Sequence, residues 1–396
     1  MENASVDIEE MVASAAVRTA VACADRHVLA IQDTTSIRSD AGGGGGLSLH
    51  AMIAVDAEDG ALLGLIEAYH LARQGGRRDQ RKTVAYEDKE SRRWQAASQA
   101  AALICGGARR LTVIADRESD IYEAFALAPA GVEMLVRAAQ DRALEDGGRL
   151  FATLDALPEA GRQVLELPAR GGKPARVAQM AVRWARVDLV RPGNRPAGSS
   201  LPEAVGVTVV DVREVDGLPG GPLLHWRLIT TSDVITARDA FDLAGLYRRR
   251  WAIEQLFRAL KTEGFQIEAL RQTQDLPRQK LVTLLLIAAV IIQQMVHARD
   301  PVPGQVPRPI TDLFQPEDIA FVEACCAQVE GKTERQKNPN PRGSLAYATW
   351  VCARLGGWTG YYGKPGPITL LRGWQTIQDA KLGWTMANIR AAMRDL

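Results

Sequence analysis

Two short apolar runs constrain this chain more than any other feature. HVLAIQD (His27 to Asp33) and RLTVIAD (Arg110 to Asp116) each read as a buried strand, and each ends in an aspartate. Between them, LSLHAMIAVD and ALLGLIEAYH meet at Asp59-Gly60 as a plausible hairpin, and Glu87 to Cys105 has a helical pattern. A short helix is expected from Ser119, with Asp120 on it, then a further strand, EMLVRA (Glu133 to Ala138). Residues 140 to 222 are richer in Gly and Pro and carry short alternating runs such as QMAVRWARVDLV, which reads as an antiparallel β insertion. After the strand LLHWRLITT, helices dominate to the end. The expectation is an α/β fold with an insertion between its last strand and its last helices. It divides into residues 1–25, a helical segment; 26–139, the first part of the core; 140–231, the β-rich insertion; 232–300, the core's last helices; and 301–396, a helical tail.

Composition limits the alternatives. A chain of 396 residues and 43.0 kDa can bury a sizeable core, and a net charge of +1 means that any nucleic-acid surface must be local. The five cysteines (Cys23, Cys105, Cys325, Cys326, Cys352) show no CxxC spacing, and the five histidines no HxxxH spacing; both argue against a zinc site. The acidic N-terminus lacks the pattern of a signal peptide, and LVTLLLIAAVII (Leu281 to Ile292) reads as a buried core helix rather than a span. A soluble, cytoplasmic protein is expected, with no membrane partner.

Taken alone, Asp33 and Asp116 are either turn and capping residues or ligands at strand ends, where α/β folds gather their sites. The stretch LYRRRWAIEQLFRALK (Leu246 to Lys261) bears on the choice. Projected as one helix, Tyr247, Arg250, Glu254 and Lys261 fall within an arc of about 60°, beside a core-facing set of Leu246, Ile253, Phe257 and Leu260. An i,i+4 pair between Arg250 and Glu254 accounts for the stripe in isolation. A site that joins Asp33, Asp116 and Glu254 accounts for all three carboxylates. It suits hard divalent cations in phosphodiester chemistry, with Arg250 and Lys261 as phosphate clamps.

Y-x2-R-x3-E-x6-K, here Tyr247, Arg250, Glu254 and Lys261, resembles the YREK signature of DDE transposases of the insertion-sequence-four group. IQDTTS around Asp33, DRESDIY from Asp116, EDKESRRW, RRWAIEQLFRALK and ARLGGW strengthen the likeness, which is closest to the transposon-five type and runs from about Arg26 to the C-terminus. The resemblance implies an RNase H-like catalytic core with the β module inserted before the final carboxylate helix. It implies Asp33, Asp116 and Glu254 as ligands of two Mg²⁺ ions, Mn²⁺ substituting, and cut-and-paste transposition through a hairpin. It implies double-stranded DNA as partner, bound by a homodimer. It places a base-stacking tryptophan at Trp226, whose position on the face of Leu224 and Leu228 also suits core packing, and it gives Tyr247 and Arg250 to the nearby phosphate.

Arg73, Arg77, Arg78, Arg81 and Lys82 form a basic loop that grips a DNA backbone or is simply solvated; Arg117 is a further site candidate, and Lys332 to Arg342 a second basic loop. Only 32 residues precede Asp33, fewer than the N-terminal DNA-binding domain of such enzymes needs. A silent regulator that forms mixed dimers with a longer relative, and an RNase H-like nuclease without strand transfer, therefore stay open.

Overall fold

A computed structural model describes residues 3, 5–37, 47–71, 92–167, 169, 174–193, 200–217, 223–262, 265–269, 274–300, 304 and 306–392. In chain order its strands are β1 (His27–Ile37), β2 (Leu47–Asp56), β3 (Leu62–Leu71), β4 (Arg110–Ala115), β5 (Val132–Arg137), β6 (Gly161–Leu167), β7 (Arg176–Val190), β8 (Ala204–Glu214) and β9 (His225–Thr230). Its helices are α1 (Ile8–Cys23), α2 (Arg92–Ile104), α3 (Tyr122–Ala126), α4 (Leu150–Ala156), α5 (Ala237–Arg248), α6 (Trp251–Lys261), α7 (Asp275–Ala298), α8 (Ile319–Val329), α9 (Leu345–Leu355) and α10 (Pro367–Ala392). The chain forms two compact units. One comprises Met1–Ala24, Thr34–Arg73 and Ala252–Leu396; the other comprises Asp25–Asp33 and Gln74–Trp251.

The second unit holds a mixed sheet in the order β1-β4-β5-β9-β8-β7-β6. β1, β4 and β5 run parallel, and every later pairing is antiparallel. Val28 to Ile31 and Leu111 to Ala115 are buried throughout, which is how strands covered on both faces read in a sequence. α2 packs on β4, and α3, α4 and α5 pack on the antiparallel strands. Past Arg186, β7 alternates between exposed and buried residues, the period-two signature of a strand with one wet face.

A charge network knits β7, β8 and β9. Asp211, fully buried on β8, faces Arg183 at 3.5 Å, Arg213 at 3.4 Å, Arg227 at 3.3 Å and His225. Burial pushes its carboxyl up, but the His225 hydrogen bond and the charges of His225 and Arg213 outweigh that and hold it below the usual range. Arg176 does the same for Glu214. Groups depressed in this way contribute stability that is present above their unfolded values, near pH 4, and lost as pH falls through the folded ones. Urea midpoints should therefore drop between pH 6 and pH 3, and Asp211→Asn should flatten part of that drop; a parent profile flat to pH 3 would contradict the network's role.

In the first unit, β2 and β3 form the expected hairpin, with Gly60 at φ 77 in its turn. α1 crosses β3 so closely that a Cβ on Gly64 would lie 2.2 Å from Thr19 Oγ1, while that hydroxyl donates to the Leu65 carbonyl at 2.7 Å. The apolar run Leu281 to Ile292 lies inside α7, which at 24 residues is longer than the run suggests and long enough to cross a bilayer. Two of its buried polar side chains have partners on β3, as expected of a core helix. Gln294 donates to the Leu63 carbonyl at 2.6 Å, and Thr283 lies 2.9 Å from the His70 ring, whose pKa burial lowers to about 4.

Candidate active site

The parallel register places Ile31 beside Ile114, and Ile114 beside Leu135. Continued past the last paired residues of each strand, the same register brings Asp33 level with Asp116, and Asp116 level with Arg137. Arg137 in turn pairs with Leu228 across the antiparallel step to β9. Level residues on neighbouring strands share a face and stand about 4.8 Å apart. Asp33, Asp116 and Arg137 thus form one row across the carboxyl edge of three parallel strands. Both aspartates are half-buried, and Asp116 Oδ1 caps the turn that follows by accepting from the Glu118 amide at 2.9 Å.

Arginines gather around this pair. Arg250 Nη1 donates to Asp33 Oδ2 at 3.2 Å, with side chains only 15% and 17% exposed, so the contact is far better shielded than a surface ion pair. Its guanidinium lies 6.0 Å from the centre of the Tyr247 ring. The buried Tyr247 hydroxyl accepts from Arg250 and Arg137. Burial and the charge of Asp116 raise the Tyr247 pKa against the pull of both arginines, so the phenol stays neutral. Arg137 also donates to the His225 carbonyl at 3.1 Å. Burial, opposed by Tyr247 and reinforced by the charges of Arg117 and Arg250, lowers its pKa from a value so high that the group stays charged. Arg117, Arg137 and Arg250 around the two carboxylates leave an excess of one positive charge. Trp226 lies two residues from Leu228 on β9, hence on the face of Arg137, and is half-buried where Leu228 is fully buried.

The single helix expected over Leu246 to Lys261 is two. α5 ends at Arg248 and α6 starts at Trp251. In between, Arg249 N bonds to the Leu246 carbonyl and Arg250 N to the Tyr247 carbonyl, both at 3.0 Å; these i→i−3 bonds tighten the turn between the two helices. Tyr247 therefore lies on α5, Arg250 in the turn and Glu254 on α6, and Leu246, expected in the core, is only half-buried. Asp120 also departs from expectation. It lies between a 3₁₀ turn and α3, fully buried, where it accepts from the Ala139 and Gln140 amides at 2.7 and 2.9 Å and pairs with Arg142.

Glu254 and Lys261 fall in the other unit, half-buried on α6; there Lys261 Nζ donates to the Ser36 carbonyl at 2.9 Å and lies 3.9 Å from Glu268. Arg117 is exposed beside Asp116. Arg73, Arg77, Arg78, Arg81 and Lys82 lie outside the described residues. Among the described residues, no group of three or more His, Cys, Asp and Glu is gathered so as to hold a metal ion. Arg137 escaped the sequence reading, although the signal was there: like the two aspartates, it is the charged residue that ends an apolar strand run.

A carboxylate pair at the edge of a parallel sheet, ringed by arginines, is the kind of α/β site that handles phosphate esters. A family model of the transposase DDE domain matches residues 20–291, more than half of the chain. The protein belongs to that family, and its function is that of a transposase acting on DNA.

Proposed function

We propose that this chain is a cut-and-paste transposase of the insertion-sequence-four group, with an RNase H-like core and Asp33, Asp116 and Glu254 as its acidic triad. The observation that carries the reading is the row of Asp33, Asp116 and Arg137, with Arg250 on Asp33. Its all-carboxylate donor set fits a hard divalent ion, Mg²⁺ or Mn²⁺, which when bound would activate water or a 3′ hydroxyl and stabilise the leaving oxygen. Arg250, Arg137 and Tyr247, with Lys261, would hold the non-reacting oxygens of the phosphate, Arg by its fork and Lys as a point charge. Trp226 would stack on a base turned out of the bent end. DNA-bound homodimers and hairpin formation complete the proposal.

The test is a pre-nicked duplex carrying the element's own terminal repeat, incubated with Mg²⁺ or Mn²⁺. A hairpin supports strand transfer, whereas cleavage without a hairpin favours a nuclease. A folded, DNA-binding protein that yields no product overturns the reading. Trp226→Ala should slow hairpin formation by about 5- to 100-fold, the loss of one stacked base, while leaving the first nick near the parent rate. Arg137→Ala should slow both steps by about 10- to 100-fold, as expected for lost hydrogen bonds to a charged group. Equal rates for Arg137→Ala and the parent would remove Arg137 from the site.

A further inference from the structure

Tyr362, 84% exposed, is the most exposed aromatic side chain among the described residues, and Tyr361 beside it is 43% exposed. Both lie in the loop after α9, which packs against the loop after α8. Arg354 ties them from beneath, donating to the Val329 carbonyl at 3.1 and 3.2 Å and to the Trp358 carbonyl at 2.9 Å. The Trp358 indole donates to the Gly363 carbonyl at 3.1 Å, and the hydroxyls of Thr333 and Tyr361 meet at 2.9 Å. Gly360 has φ 87, and a Cβ there would lie 2.7 Å from the Arg335 carbonyl, so the two loops approach as closely as only glycine permits.

The exposed charges of this stapled pair are Lys332, Glu334, Arg335, Lys337 and Lys364, cations outnumbering the one exposed acid. Lys332 and Arg335 are exposed and enter no ion pair among the described residues, whereas Lys337 is 3.4 Å from Glu330 and Lys364 is 2.6 Å from Asp300. A merely solvated loop needs neither a half-buried arginine staple nor two tyrosines held out in water. Cations and tyrosines on a stiff support suit a partner with phosphate oxygens and flat ring faces.

We propose that Lys332, Arg335, Tyr361 and Tyr362 form a second DNA contact that grips the backbone of a duplex independently of the carboxylate row. The inference rests on the reading of the chain as a DNA transposase.

The test measures binding of a labelled terminal-repeat duplex to the full chain across a salt series, for the parent and the double variant Lys332→Ala/Arg335→Ala. Each lost phosphate contact lowers the slope of log affinity against log salt by about 0.9, so the double variant should be shallower by about 1.8 and bind at least about tenfold more weakly at 0.1 M salt. At saturating DNA its rate on a pre-nicked end should match the parent's, because neither residue belongs to the carboxylate row. Gly360→Ala, which parts the loops without altering charge, should also weaken binding. An unchanged slope in a folded double variant that still cleaves overturns this contact alone. No DNA binding by the parent overturns it together with the transposase reading.

Discussion

If Asp33 and Asp116 are the proposed ligands, Asp33→Asn and Asp116→Asn should each reduce strand cleavage by about 10³-fold or more, because each would remove a carboxylate whose contribution through a bound cation would be worth several kcal/mol. Asparagine keeps the shape, so the strands and their register should survive and circular dichroism should match the parent. DNA binding is expected to hold or to tighten. The site sets Arg117, Arg137 and Arg250 around the two acids, and losing one negative charge leaves those cations more available to phosphate. Opposite movement of the two readouts is the signature of a ligand carboxylate; a turn or capping residue would alter folding and leave the chemistry alone. Cleavage within tenfold of the parent for either variant would remove that aspartate from the reaction.

Asp120→Ala has the largest expected effect on stability. Its carboxylate is fully buried, takes two backbone amides and pairs with an Arg142 side chain that is itself only 6% exposed. Removing one partner of such a pair strands the other as an uncompensated buried charge, at about 3–5 kcal/mol. For a unit of this size that corresponds to a fall in Tm of about 6–20 °C. Asp120 also anchors the turn that Asp116 opens to the chain just past β5, so cleavage should suffer even in the fraction that folds. Asp120→Asn, which keeps acceptor capacity for the amides, should recover part of the loss. A Tm within 2–3 °C of the parent, outside the range those principles set, would contradict the anchoring role.

Much of the site was legible in one dimension because strand ends announce themselves. A run of apolar residues covered on both faces, followed at once by a charged one, marks Asp33, Asp116 and, in retrospect, Arg137. The hairpin at Asp59-Gly60 and the antiparallel runs from Gln179 onward follow from the same local patterns of alternation and turn chemistry. The stretch from Leu246 to Lys261 was misread for a physical reason. Its side chains satisfy a continuous amphipathic pattern, and no proline or glycine marks a break; only the tighter i→i−3 bonds at Arg249 and Arg250 interrupt the helix there. Asp120 was misplaced because its partners, Ala139, Gln140 and Arg142, lie about twenty residues away, and propensity carries no information at that range.

The sequence by itself determined the mixed α/β class of fold and the acids that end two apolar strand runs, since these rest on periodicity and spacing that neighbouring residues share. Only the tertiary structure decided that Asp33, Asp116 and Arg137 stand in one row and that Arg250 leaves the helix to meet Asp33. It alone decided that Trp226 faces the same side as Arg137 and that two distant loops close around Gly360. Register between strands and the approach of loops are settled by packing between residues far apart in the chain, and no local pattern encodes them.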